Sequence, residues 1–159
     1  NWVNGIASGR GILRFKNGEV YDGEFKNNNM FGKGTFTKKN GDVLIGEFIN
    51  GLINGKGRYE NASGEKYIGE FLSGKKHGFG KLYNKEGKLE FAGSYLNGAR
   101  SGKGKEYYLH NGKVMFEGEY LNGKRNGKGK EYYDDGKLLF EGTYSNGLRN
   151  GSGKIYHHS

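Results

Sequence analysis

Residues 117–130 read EGEYLNGKRNGKGK, with glycine at 118, 123, 127 and 129. A flexible linker would be rich in Gly and Ser and poor in aromatics. This stretch instead holds Tyr120 and is flanked by Phe116, Tyr132 and Tyr133, so its glycines require a structural reason.

Setting the chain against itself supplies one. The leading glycine recurs at Gly23, Gly46, Gly69, Gly93, Gly118 and Gly142, at spacings of 23, 23, 24, 25 and 24 residues. A period in this range marks a repeat architecture. Two residues before each stands Tyr21, Leu44, Tyr67, Phe91, Phe116 or Phe140, and two after it Phe25, Phe48, Phe71, Tyr95, Tyr120 or Tyr144. Five after it comes Gly51, Gly74, Gly98, Gly123 or Gly147, usually preceded by Asn, with Asn28 taking that place in the first full unit. Asn is the non-glycine residue that best tolerates positive φ, so a left-handed backbone is expected there. A G-x-G pair then closes every unit, from Gly32/Gly34 to Gly151/Gly153. Trp2, Gly5 and Gly9/Gly11 match the same template, so the array is expected to open inside a repeat and to be part of a longer protein, since the first residue is Asn1.

Alternation within each unit is that of a strand with one covered face. Tyr21, Gly23 and Phe25 should share one face with Gly32, Gly34 and Phe36, while Asp22, Glu24, Lys33 and Thr35 take the other. Asn17-Gly18, Asn40-Gly41, Ser63-Gly64, Asn111-Gly112 and Asp135-Gly136 resemble two-residue hairpin turns. Glycine in mid-strand is tolerated where another group lies close against the backbone. Rings of adjacent strands are the expected occupants, and burying each contributes about 2 kcal/mol. Glu24 beside Lys33 and Glu47 beside Lys56 suggest cross-strand charge pairs. The expected fold is all-β: an elongated, twisted, single-layer antiparallel sheet of stacked hairpins, stabilised by nearest-neighbour stacking.

Composition agrees. Only 33% of the 159 residues are hydrophobic, 32 are Gly and none is Pro, which argues against a thick globular core, while 14% aromatic content argues against disorder. The net charge of +9 suits nucleic acid, an anionic membrane or an acidic protein without choosing among them. The lack of cysteine removes disulfides and thiolate chemistry and favours an intracellular, cytoplasmic address. No apolar run reaches the length of a helical membrane span.

The units YDGEFKNNNMFGKGTF, YIGEFLSGKKHGFGKLY and FEGEYLNGKRNGKGKEYY resemble MORN (membrane occupation and recognition nexus) repeats, whose pattern is Y-x-G-E-[FY]-x-N-G-x-x-x-G-x-G. The resemblance covers the whole of 1–159: a partial repeat over 1–20, then repeats starting near 21, 44, 67, 91, 116 and 140. It implies stacked β-hairpins, and a cytoskeletal or membrane-adjacent setting. Departures are Leu44 for the leading Tyr, Ser94 and Thr143 for the acid, and extra residues before the turn in the last three units, near Tyr107/Tyr108 and Tyr132/Tyr133.

Catalytic and cofactor signals are absent. The G-K-G pairs lack the strand-to-helix context of a phosphate loop. His77 and His110 are expected in loops and His157/His158 close the chain, so no metal site is expected. Glu24, Glu47, Glu70 and Glu119 recur in register, which is the mark of a structural ladder rather than a catalytic pair. No enzyme and no cofactor are expected.

Two features carry binding chemistry. Tyr21, Phe25, Phe36, Phe48, Tyr59, Tyr67, Phe71, Tyr95, Tyr120 and Tyr144 would line a shallow groove for a partner's helix or extended segment, or be consumed in covering glycine and one another. Lys75, Lys76, Arg100, Lys124, Arg125 and Arg149, read as loop residues, would form a basic stripe for anionic lipid or a merely solubilising edge. The leading expectation is a non-enzymatic protein-interaction scaffold, able to self-associate as a homodimer. The alternatives are a phosphoinositide-binding module and a regulatory segment of a larger enzyme. Nucleic acid is disfavoured because Lys33 and Lys56 are expected on the face away from the rings.

Overall fold

The computed structural model describes residues 2–3 and 6–157, so Gly5 and His158 lie outside the described residues. Two short strands, β1 (Trp2–Val3) and β2 (Ile6–Ala7), pair with each other. An antiparallel sheet then runs in strict chain order through β3 (Gly9–Arg14), β4 (Val20–Lys26), β5 (Asn29–Thr37), β6 (Val43–Ile49), β7 (Leu52–Glu60) and β8 (Lys66–Leu72). It continues through β9 (Lys75–Tyr83), β10 (Leu89–Leu96), β11 (Ala99–Tyr107), β12 (Val114–Leu121), β13 (Lys124–Tyr132), β14 (Leu138–Ser145) and β15 (Leu148–Ile155). The described residues form no helix, and the thirteen strands make one open layer. At about 4.8 Å per strand the layer is about 58 Å wide.

Two kinds of turn alternate along its edges. The tight two-residue turns lie inside the repeats, at Asn50-Gly51, Ser73-Gly74, Asn97-Gly98, Asn122-Gly123 and Asn146-Gly147, where both residues have positive φ. That is the type I′ geometry whose twist suits a hairpin. Asn27 and Asn28 form the same turn without glycine, at φ 51° and 67°. The turns between repeats differ from the two-residue form expected of them. At 38–42 the Lys38 carbonyl accepts from Gly41 N–H, Lys38 N–H donates to the Asp42 carbonyl, and only Gly41 is left-handed. This three-residue loop is closed by Asn40, whose side-chain oxygen accepts the Asp42 N–H at 3.0 Å. The pattern returns at 15–19, 61–65, 84–88 and 133–137, with one more residue at 108–113. The extra residues of the later repeats appear as register shifts between Leu89 and Phe91, Glu106 and Tyr107, and Glu131 and Tyr132.

A bulge interrupts each hairpin after the paired glycines. Between β4 and β5 the register passes from Gly23↔Gly34 to Phe25↔Met30, so Glu24 faces Phe31, Gly32 and Lys33. The Glu24 carboxylate accepts the backbone N–H of Lys33 at 2.6 Å, and a Cβ on Gly32 would meet it. Glu70 and Glu119 accept from Phe79 N–H and Lys128 N–H in the same way. These acids therefore clamp the bulge backbone. They do not form the ammonium pairs expected with Lys33 and Lys56, and Gly32 joins the Glu24 face rather than the aromatic one. Charge pairs do cross the strands, but one residue before the leading glycine, at Lys105–Glu117 (3.9 Å) and Lys130–Glu141 (3.8 Å).

The core is the aromatic face. Tyr21, Tyr67, Phe91, Phe116 and Phe140 each pack against a cross-strand glycine pair: a Cβ on Gly80 would sit 2.2 Å from Tyr67 Cε1, and one on Gly129 2.6 Å from Phe116 Cε1. Tyr21 and Tyr67 donate their hydroxyls to the carbonyls of Glu24 and Glu70, tying ring to bulge. In the second full repeat Leu44 cannot cover its pair, Gly46 and Gly57. Ile53, 1% exposed, brings its Cδ1 to that seat from the neighbouring strand.

Candidate functional site: the aromatic face

Rings on this face interlock edge to face. From Phe71 the contacts pass to Tyr67, Tyr95, Phe91, Tyr120, Phe116, Tyr144 and Phe140, with centroids 5.1–5.8 Å apart and planes near perpendicular. Such pairs add about 1 kcal/mol each beyond area burial. Phe25, Tyr21 and Phe48 form a second run, separated from the first by the Leu44/Ile53 repeat. Of the ten rings expected to line a groove, Tyr21, Phe48, Tyr67, Phe71, Tyr95, Tyr120 and Tyr144 are buried, because they cover glycine and one another. Phe25, Phe36 and Tyr59 are half-buried and pack at the surface of that core with Met30, Leu44, Leu82 and Leu139.

The basic residues are placed differently from the expected edge stripe. They stand on strands β9, β11, β13 and β15, not in loops. Lys76, Arg100, Arg125 and Arg149 occupy the position two before the third glycine of the repeat, where Met30 and Ile53 stand earlier in the chain. In the hairpin register they pair with Phe71, Tyr95, Tyr120 and Tyr144. Their cations lie over rings: Arg100 is 4.0 Å from the Phe91 centroid, Arg125 4.1 Å from Phe116, and Arg149 4.3 Å from Phe140. Lys76 Nζ is 5.1 Å from Tyr67 and 5.7 Å from both Tyr59 and Tyr95. Charge and rings thus share a face, contrary to the separation expected from Lys33 and Lys56. Lys75 and Lys124 remain exposed beside the tight turns.

Two glutamates complete this arrangement toward the C-terminus. Glu106 accepts Arg125 Nε at 2.9 Å, Arg125 Nη2 at 3.0 Å and the Tyr120 hydroxyl at 2.5 Å. Glu131 holds Arg149 through Nε at 2.7 Å and Nη2 at 3.0 Å, and also accepts the Tyr144 hydroxyl. Burial opposes ionisation of both carboxyls, but the bidentate arginine and the tyrosine outweigh it and hold both below the ordinary carboxylate range. Burial likewise acts against Arg125, and its Glu106 contacts prevail, so its pKa rises. Nearer the N-terminus the polar element is Asp42. Its carboxyl is held low first by the Tyr59 hydroxyl at 2.5 Å, against burial and with help from Ala62 N–H, while Tyr59 is pushed up to about 12, mainly by burial.

Among the described residues no three His, Asp or Glu side chains converge on a possible metal site. His77 lies half-buried on β9 rather than in a loop, and His110 Nε2 is 3.3 Å from Asp134 in the turn region. The opposite face holds an open trough of about 1010 Å³ whose lining includes Phe79, Lys81, Ala92, Lys103, Tyr107 and Glu119. Ala92 in its lining stands where other repeats carry Asp22, Ile45, Ile68, Glu117 and Glu141.

Paired glycines, a bulge and a type I′ turn return in each of the six full hairpins, and the MORN repeat family profile matches at 1–20, 21–43, 45–66, 67–88, 91–108, 116–137 and 140–157. The chain belongs to the MORN repeat family. No curated protein matches it. MORN repeats are in general protein- and lipid-interaction modules, and the all-β MORN array is a typical non-enzymatic repeat module.

Proposed function

We propose that this MORN array is a non-enzymatic scaffold that takes an extended or helical segment of a protein partner along its aromatic face. One observation carries the reading. The face that holds the whole core is covered by no second layer among the described residues, and its surface alternates half-buried apolar groups with cations held over rings. A mixed surface of that kind matches the apolar and polar side chains of a peptide, and rings beneath it supply rigid contact at low entropic cost. A charged lipid plane is served less well. Of the six basic residues, Arg125 and Arg149 are neutralised by glutamates and Lys76 and Arg100 lie over rings, leaving Lys75 and Lys124 as the pair aimed at solvent.

The test is to select peptides against the chain from a random display library and map the best binder by amide chemical-shift changes, with phosphatidylserine vesicles as a parallel probe. Shifts at Tyr59, Lys76, Leu82, Tyr95 and Arg100 are expected. Shifts confined to Lys81, Lys103 and Glu119 on the other face, or binding to vesicles alone, would overturn the reading.

A further inference from the structure

Repeats 116 and 140 pair a ring-stacked arginine with a tyrosine hydroxyl, and each such pair closes on a glutamate of the preceding repeat: Tyr120 and Arg125 on Glu106, Tyr144 and Arg149 on Glu131. Repeat 91 carries the same donors, Tyr95 and Arg100, opposite each other in the register. Arg100 stacks at 4.0 Å on Phe91 as Arg125 does on Phe116, and its charge acts on the Tyr95 hydroxyl. The residue at the glutamate's position is Leu82. It stands on β9 opposite Tyr67 and Phe91, as Glu106 stands on β11 opposite Phe91 and Phe116. No ion pair reaches Arg100 among the described residues: Glu106, which it feels electrostatically, has one oxygen on Arg125 and the other shared by Arg125 and Tyr120.

Next along the face is Lys76, caged by Tyr59, Tyr67 and Tyr95. Glu65 attracts it from a distance and Arg100 repels it, and no carboxylate lies within ion-pair reach among the described residues. Two neighbouring cations packed against rings therefore lack the directly bonded carboxylate that the next two arginines possess.

Resting on the reading of this face as a protein-binding one, the structure assigns the Lys76–Tyr95–Arg100 cluster as a carboxylate subsite, filled by an Asp or Glu side chain of the partner segment. That side chain would lie over Leu82 and accept from the Arg100 guanidinium and the Tyr95 hydroxyl, as Glu106 accepts from Arg125 and Tyr120. Lys76 would flank it. The chain's own Glu106 and Glu131 show that such an arginine–tyrosine pair holds a carboxylate across the guanidinium fork.

Two measurements decide it. In the first, Leu82→Glu places the carboxylate in the chain itself. Its melting midpoint should exceed that of Leu82→Gln by about 3 °C, and adding Arg100→Leu should reverse the order, since the acid then lacks its partner. A Leu82→Glu midpoint at or below that of Leu82→Gln overturns the inference. In the second, peptides selected by display against the unmodified chain should share one acidic position. Replacing that acid by its amide, or binding the peptide to Leu82→Glu instead, should weaken affinity about tenfold or more, while Lys124→Ala should not. Selected peptides with no fixed acid, or bound equally by Leu82→Glu, overturn the carboxylate subsite and leave peptide binding standing. Failure to select any peptide overturns the interaction reading instead, and the melting comparison then decides whether the donors accept a carboxylate.

Discussion

The repeats starting at 21 and 44 and those starting at 116 and 140 share one backbone and differ in what covers their rings. In the first pair the covering residues are Met30 and Ile53, with Phe36 and Tyr59 beside them; in the second they are Arg125 and Arg149, with Glu106 and Glu131. The frame underneath does not change: paired glycines, a bulge and a type I′ turn. A repeat of this kind separates two tasks. Glycines set how closely a ring approaches the sheet, and two other positions per repeat, one on each of two strands, set whether the outer surface is apolar or ionic. In these outer repeats the two positions vary together, because a lone buried charge is costly and a matched pair is not, whereas the central repeats set Lys76 and Arg100 with Tyr59 and Leu82.

The largest effect should come from breaking what both regions share. A Cβ on Gly69 would lie 2.5 Å from Gly80 Cα and 2.7 Å from the Phe79 carbonyl oxygen, backbone that cannot swing aside. Gly69→Ala is therefore expected to cost about 3 kcal/mol or more, or to prevent folding of the central repeats. At Gly11 the nearest atom to such a Cβ is Phe25 Cε1 at 3.7 Å, an ordinary contact. Gly11→Ala should change stability by less than about 1 kcal/mol. Urea unfolding of both variants checks the contrast, and equal losses would show that ring seats do not organise the sheet.

Next is the pair that distinguishes the regions. Glu106→Leu should cost about 2 kcal/mol, because Arg125 is left stacked and desolvated without its carboxylate. Combining Glu106→Phe with Arg125→Ile gives this repeat the Phe36/Ile53 identity and should recover most of that loss. If the double variant is no better than Glu106→Leu, the two regions are not exchangeable solutions on one frame.

Much of this organisation is legible in the sequence, and the boundary is informative. The glycine period is visible because each glycine answers a steric demand that no other residue meets, so the seats and the sheet follow directly. The turns were assignable only in part. Asn-Gly occurs at both edges, at Asn50-Gly51 and at Asn40-Gly41, and the two-residue form belongs to the first. At the second, Asn40 bonds forward to Asp42 and leaves glycine as the single left-handed residue. Arginine stacking was the least visible element. A bulge inside each repeat's hairpin shifts the phase of alternation, so Arg100, Arg125 and Arg149 read as edge residues. The signal that could have placed them is the similar offset of glutamate to arginine, 19 residues for Glu106/Arg125 and 18 for Glu131/Arg149.

Acid should separate the regions by a smaller margin. Glu106 and Glu131 have folded-state pKa values below the unfolded one, so their stabilisation is complete above the ordinary carboxylate range and is lost as pH falls through the depressed values. Asp42 contributes with the same sign in the earlier repeats. Replacing both glutamates by glutamine should flatten the acid limb of stability against pH, most visibly in hydrogen exchange of β11 to β15. An unchanged limb would assign acid sensitivity to Asp42 alone.

The smallest effect should be a gain. Five of the six type I′ turns place asparagine at the first or only such position with φ near 50°, at Asn27, Asn50, Asn97, Asn122 and Asn146, and the sixth places Ser73 there at φ 47°. A serine held in the left-handed region bears backbone strain that asparagine bears less of, because its amide packs favourably against the neighbouring peptide in that conformation. Ser73 donates its N–H to the Asn54 side chain at 2.9 Å, a bond that uses the backbone and survives substitution. Ser73→Asn is thus expected to raise stability by about 0.5 kcal/mol, measured as a shift of the urea midpoint at constant slope. A loss instead would mean that the Ser73 side chain has a role specific to this hairpin, and that the turns, unlike the glycine seats, are not interchangeable along the array.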